Sequence, residues 1–373
     1  MTETDPHVRA LLPQTTPVRL IEADGSPSPR SGPYRFPETP RLLDGYERMV
    51  MARRFNIQAT ALTRQGRLAV YPSSRGQEAC QVGAALALDA ADWLFPTYRD
   101  SAALVARGLD PTEVLAGFRG DWHCGYDPPA RRVAPQATPL ATHLVHATGL
   151  AHALHLRRQS GVVMALTGDG GTSEGDFHEA LNFAGVLRAP VVFVVQNNRW
   201  AISVPLAKQT AAPALAYKGV GYGVAAEQVD GNDLAAVLAV LGAAVDQARS
   251  GAGPYLVEAH TYRMEAHTNA DDAARYRDGD EVDRWSRADP IVRLEAWLRA
   301  RGDLDDAGVA AVADRAEMLA ATVRAGAQAD AAGPHDPLRL FDHVYAHPTA
   351  QLVAQRAQLG AEIQAARLEA AAR

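Results

Sequence analysis

Apolar positions along the chain change period several times, and each change marks an element. From Arg41 onward, Leu42, Tyr46, Met49, Val50 and Phe55 recur near the 3.6-residue period, which predicts a helix that Gly66 stops. Ser74-Arg-Gly-Gln77 reads as a capping box ahead of the apolar stretch Ala79–Leu88. Val162–Leu166 is a short continuous apolar run, β-branched at its start and followed by glycines. Pro190–Val195 is a second such run, ending in Gln196-Asn197-Asn198, and a helical segment, Phe177–Leu187, lies between the two. Strand, glycine turn, helix, strand is a βαβ unit, so the sheet it predicts is parallel and the fold class α/β. Leu234–Ala248 predicts a further helix and Tyr255–Ala259 a further strand, and the tail beyond Pro290 reads as mostly helical and rich in Ala, Arg and Asp. No repeat of solenoid period is present.

The first 40 residues break this pattern. Pro13, Pro17, Pro27, Pro29, Pro33, Pro37 and Pro40 fix φ and remove donors, so the stretch predicts neither a helix nor a central strand. It reads as an extended N-terminal arm, loose rather than wrapped on a partner subunit.

Composition narrows the function classes. The chain has 373 residues, 47% hydrophobic and 21% charged, as a globular protein does. Its 37 basic and 43 acidic residues leave a net charge of −6, without the basic excess of a general nucleic-acid binder. The two cysteines, Cys80 and Cys124, form no CxxC pair, which argues against a disulfide scaffold or cysteine zinc site and fits a reducing compartment. No apolar stretch approaches the roughly 18 residues of a spanning helix, and the N-terminus lacks a basic segment followed by an apolar run. The expectation is a cytoplasmic protein that binds neither membrane nor nucleic acid.

The candidate chemistry sits in the βαβ unit. The turn after its first strand reads Thr167-Gly-Asp-Gly-Gly-Thr-Ser-Glu-Gly-Asp176. Gly168 and Gly170 fit the start of a dinucleotide fingerprint, but Ser173 stands where its third glycine belongs, and the second strand ends in amides rather than a ribose-binding acid. What remains is Asp169 after one strand and Asn198 after the next, both at the carboxyl edge, where open α/β sheets bind ligands. A carboxylate, an amide oxygen and a backbone carbonyl form a hard oxygen set suited to magnesium and substrate phosphates. Taken singly, each reads more readily as a loop aspartate or a turn-forming asparagine; taken together, after two consecutive strands, the balance reverses. The histidine pairs His143/His146 and His152/His155 share a helix face, yet no HExxH or interleaved acid supports a transition-metal site.

The text GDGGTSEGDFHEALNFA, followed by VVFVVQNNRWAIS, resembles the alpha subunit of the heterotetrameric 2-oxo acid dehydrogenases, the decarboxylating components of the pyruvate and branched-chain complexes. The likeness runs from about Arg41 to the end. It implies a parallel-sheet thiamine-diphosphate-binding fold over residues 41–290, preceded by the arm of residues 1–40 and followed by C-terminal helices over 291–373. It also implies thiamine diphosphate and magnesium as cofactors. Asp169, the Asn198 side chain and the Trp200 carbonyl would hold the metal. Gly168, Gly170 and Gly171 would approach the diphosphate, and Tyr98 and Arg99 would clamp it. Thr138 and Leu140, in Thr138-Pro-Leu-Ala-Thr142, match the segment that props the bent cofactor. Gln196 stands where the branched-chain type often has arginine, so that grip is weaker here. His143 replaces a common glutamine, which leaves a family potassium site in doubt. Arg263 and His267, in Arg263-Met-Glu-Ala-His267, match the loop that lines the catalytic site, with His267 able to serve both binding and proton transfer. Thr268 and Asp278 stand at positions phosphorylated in animal enzymes, and an aspartate at 278 argues against kinase control.

The resemblance further implies a beta subunit. A glutamate must activate the cofactor from a second α/β domain, and the stretch of chain beyond Pro290 is shorter than a domain of about 100–150 residues. The expected assembly is α2β2, acting on a small 2-oxo acid and passing the acyl group to a lipoyl domain of the acyltransferase core. Ser173–Asp176 leans toward the branched-chain type and 3-methyl-2-oxobutanoate. A pyruvate dehydrogenase subunit, an acetoin dehydrogenase subunit and a cofactor-free assembly subunit are the alternatives.

Overall fold

The structure, a computed structural model, describes residues 6–29, 32–120, 123–330, 336–342 and 344–372. The chain forms two units, Met1–Ala325 and Gly326–Arg373.

The first unit is built on a five-stranded sheet. Its strands are β1 (Trp93–Phe95), β2 (Val163–Gly168), β3 (Val191–Asn197), β4 (Ala225–Asp230) and β5 (Tyr255–His260), in the order β1-β2-β3-β5-β4. All neighbours are parallel. Every residue of β3 is buried, as is all of β2 but Gly168, which is why these strands read as unbroken apolar runs instead of alternating ones. One face of the sheet carries Val163, Ala165, Val191, Phe193 and Val195. These pack in one core with Leu144, Ala147 and Ala151 of the helix Thr142–Leu156, and with Phe177, Ala180 and Leu181 of the helix Gly175–Leu187. Each valine, leucine or phenylalanine among them contributes about 1.5–3 kcal/mol by leaving water. Against the other face lies the helix Leu234–Arg249, which in turn packs on the helix Glu78–Leu86. Gly83 permits that approach: a Cβ there would stand 2.4 Å from Val237 Cγ1.

The βαβ reading holds, with both strands running two residues further than their apolar cores. The register pairs Gly168 with Gln196 and Asn197 with His260, so three strands end level at one edge. Turns there place Asp169, Asn198 and Arg263 side by side.

The described part of the arm, residues 6–29 and 32–40, is not loose. Pro6–Leu11 is a short helix, because a proline at the first helical position costs no hydrogen bond. Further on, Val18 bridges Val229 in parallel: its N–H donates to Gln228 O (2.9 Å), and its carbonyl accepts from Asp230 N (2.9 Å). Val18, Leu20 and Ile21 are fully buried. The Asp233 carboxylate fastens this segment. Its Oδ2 accepts from the N–H groups of Leu20 (2.6 Å) and Ile21 (2.7 Å), while its Oδ1 caps the helix Leu234–Arg249 at Ala235 and Ala236. Burial pushes Asp233 up to about 6.

The capping box does not form. The helix after it begins at Glu78 with no side-chain cap. Asn56 takes up Ser74 instead, its Oδ1 accepting from the Ser74 N–H (2.9 Å), and the Gln77 amide turns to Asn198.

The first unit also extends past the Pro290 boundary expected from the sequence. In the helix Pro290–Ala300, Leu294 and Leu298 are buried, and Arg293 pairs with Asp230 at 3.1 Å. In the second unit, a 3₁₀ turn (Pro337–Phe341) precedes the helix Ala350–Ala371, which Thr349 caps and in which no residue is buried. Among the described residues no helix is long and apolar enough to cross a membrane.

Candidate active site

At the carboxyl edge of β2, β3 and β5 the chain encloses a cavity of about 210 Å³. Its floor starts at β2. The strand ends at Gly168 and the chain turns through a tight 3₁₀ segment, Asp169–Ser173, before the helix Gly175–Leu187. Side chains larger than hydrogen do not fit here: a Cβ on Gly170 would stand 2.7 Å from Ala201 Cβ, and one on Gly171 2.3 Å from Thr167 Oγ1.

Asp169 is 1% exposed. Its Oδ2 accepts from Gln209 Nε2 at 2.7 Å, but its Oδ1 is buried without a hydrogen-bond partner. Burial raises its pKa above the ordinary carboxylate value. A buried carboxylate oxygen with no donor is costly unless a cation meets it. Asn198 lies beside it, with its Nδ2 donating to Gln77 Oε1 (3.1 Å) and its Oδ1 accepting from Trp200 N (3.2 Å). The Trp200 carbonyl accepts a long bond from Arg263 Nη1 (3.3 Å). This is an oxygen set that fits a hard divalent cation.

The cationic wall comes from two other elements. Arg99 is buried and anchored by Nη1 to Ser73 O (2.8 Å), while its Nη2 reaches the His267 carbonyl (2.9 Å) and Nδ1 (3.0 Å). Arg263, 1% exposed, donates to Ile202 O (2.7 Å) and Tyr276 Oη (3.0 Å), and its Nη1 lies 3.3 Å from the same His267 Nδ1. Two donors on Nδ1 make that nitrogen the acceptor and leave the proton on Nε2. Burial first, then the charges of Arg99 and Arg263, lower the His267 pKa to about 4. The His267 N–H donates to Asp271 Oδ2 (2.7 Å), to which the Tyr276 hydroxyl also donates, so the loop is closed on itself. The Tyr98 ring meets the His267 ring edge-on at 6.1 Å.

Gln196 adds no charge. Its Nε2 donates to Asp100 Oδ1 (2.6 Å) and its Oε1 accepts from Gln81 Nε2 (3.2 Å). Asp100 is fully buried, and burial raises its pKa. Ile202, a β-branched residue, holds a left-handed backbone (φ 54°) at the cavity wall.

Of the residues singled out from the sequence, Tyr98, Arg99, Leu140, Gly168, Asp169, Gly170, Gly171, Gln196, Asn198, Trp200, Arg263 and His267 line this one cavity. Thr138 does not. Ala137 bridges Thr97 and accepts from the Tyr98 N–H, and Thr138 follows in an exposed bend. Sequence reasoning missed Gln77, Gln81, Asp100, Gln209 and Tyr276. Gln77 was visible only as half of a capping box, and Gln209 carries no local signal because a loop brings it in.

Fold and site together are those of an α/β enzyme that works at the carboxyl edge of its sheet. The family profile of the dehydrogenase E1 component matches residues 46–337. The chain is 46% identical over 349 residues to the 3-methyl-2-oxobutanoate dehydrogenase subunit alpha of Mycobacterium tuberculosis, covering 93% of this chain and 94% of that protein. It is 37% identical over 323 residues to the pyruvate dehydrogenase E1 component subunit alpha of Acholeplasma laidlawii (86% and 93% covered). With the Staphylococcus aureus protein of the same name it shares 41% over 263 residues (70% and 71% covered). The chain belongs to the dehydrogenase E1 component family, as an alpha subunit of the thiamine-diphosphate-dependent 2-oxo acid dehydrogenase type.

Proposed function

We propose that this chain, paired with a beta subunit in the cytoplasm as α2β2, decarboxylates 3-methyl-2-oxobutanoate and related branched-chain 2-oxo acids and delivers the acyl group to a lipoyl domain. The observation that carries the cofactor reading is the orphaned Oδ1 of Asp169 beside Asn198, in a glycine cradle that no side chain could share. Asp169, Asn198 and the Trp200 carbonyl would hold magnesium, and Gly170 and Gly171 would let the diphosphate approach the backbone. When bound, thiamine diphosphate supplies the electron sink for decarboxylation.

This chain's own part is to bind, orient and exclude. Arg99 presents a fixed guanidinium to the anionic end, its other donors already committed to Ser73 and His267. His267, neutral and with Nδ1 occupied, offers its Nε2–H as a hydrogen-bond donor. Leu140 supplies an apolar prop in the same cavity. The branched-chain substrate is favoured by the 46% identity to the M. tuberculosis protein, against 37–41% for the pyruvate-type relatives. The test is turnover by the reconstituted αβ pair. Preference for 3-methyl-2-oxobutanoate over pyruvate is expected, and a strong pyruvate preference overturns the substrate assignment in favour of the second reading.

A further inference from the structure

We infer that Gln209 is a positioning residue for the cation site, acting through Asp169. The inference rests on the reading of Asp169 as a magnesium ligand.

After Asn198 the chain runs out as a two-stranded ribbon, Trp200–Ala201 against Val204–Pro205, which Leu206 N closes onto Arg199 O at 3.0 Å. A 3₁₀ turn, Leu206–Lys208, then brings the chain back and ends at Gln209, whose N–H donates to Leu206 O (2.9 Å). The half-buried Gln209 side chain does not line the cavity. Its Nε2 donates to Asp169 Oδ2 (2.7 Å) and to Val204 O (3.0 Å). Both partners are acceptors, so only the NH₂ end of the amide can face them, and both of its hydrogens are used. The Oε1 is left buried and unpartnered.

This arrangement decides which carboxylate oxygen is free. With Oδ2 already accepting from Gln209, Oδ1 is the oxygen left with no partner at all, the one best placed for a cation. The same amide ties the ribbon that carries the Trp200 carbonyl to the carboxylate, so two of the three oxygens expected to meet the cation are set by one side chain. Donors that orient a metal-binding side chain in this way typically govern affinity by 10–100-fold.

Gln209→Met keeps the length of the side chain and removes both donors. In the α2β2 assembly freed of metal by chelation, Mg²⁺ is titrated in the presence of thiamine diphosphate, with binding read by calorimetry. The Mg²⁺ dissociation constant is expected to rise about 10–100-fold, while kcat at saturating Mg²⁺ and cofactor stays within about twofold of wild type. An unchanged Mg²⁺ dissociation constant overturns the inference, as does a loss of kcat that saturating Mg²⁺ does not restore. Should the methionine variant not assemble, Gln209→Asn, an amide one methylene shorter, is titrated instead and judged by the same two outcomes. Failure of the underlying reading looks different: the wild-type assembly would then bind thiamine diphosphate without Mg²⁺, or not at all.

Discussion

His267 meets two guanidinium groups through one ring nitrogen, and its proton chemistry follows from that placement. Its folded-state pKa of about 4 lies below the ordinary 6.5. The unfolded chain therefore binds the proton more readily between those values. The stability tied to this group is present in full above 6.5 and is lost as the pH falls to about 4. In the cofactor-free assembly, with histidine ring carbons isotope-labelled for NMR, we expect the His267 resonance, assigned by its loss in His267→Gln, to titrate near 4. Arg99→Gln should shift that midpoint toward 6.5, since the nearer charge is gone. A wild-type midpoint already in the ordinary range would refute the lowered pKa. The same scale explains Gln196: its amide is spent between Gln81 and Asp100, so it brings no charge to the wall that Arg99 and Arg263 form.

Elements explain what the sequence disclosed and what it hid. The buried strands β2 and β3 were legible because strands covered on both faces must be apolar throughout, and the acid and amides after them were legible because they interrupt that run. Thr138 lies outside the cavity because its neighbour Ala137 is spent on a bridge to Thr97, and the next residue is exposed. Gln77 and Gln209 were illegible for a different reason. Each reaches the site from another element, Gln77 across more than a hundred residues of chain to Asn198 and Gln209 by way of a ribbon, and no local periodicity reports such a meeting. Asp233 is the clearest case of an element-scale device. One carboxylate caps a helix and also satisfies two buried N–H groups of the arm. Asp233→Ala should cost about 2–4 kcal/mol, from the lost cap and the orphaned donors. Urea unfolding would show this as a lower midpoint at unchanged slope, and a loss under about 0.5 kcal/mol, the size of an ordinary surface change, would contradict it.

At the scale of the whole molecule, the sheet has two margins, and the chain covers both with its own backbone. Along β4 the arm lays down Val18 against Val229. Along β1, Val133 bridges Leu94 and Ala137 bridges Thr97. Neither cover looks like a strand of its own, and neither touches the cavity. What they change is behaviour in a crowded solution. An open parallel margin is a template on which a second copy can grow, and growth of that kind ends in precipitate rather than in a defined assembly. Removing residues 1–22 should therefore leave the active-site cavity in place yet turn the protein into one whose light scattering climbs with concentration and time. A truncated chain that stayed clear at high concentration would show that the β4 margin needs no guard. The arm, read from its prolines as slack, is on this view the part of the chain that keeps the subunit in solution until its partner arrives.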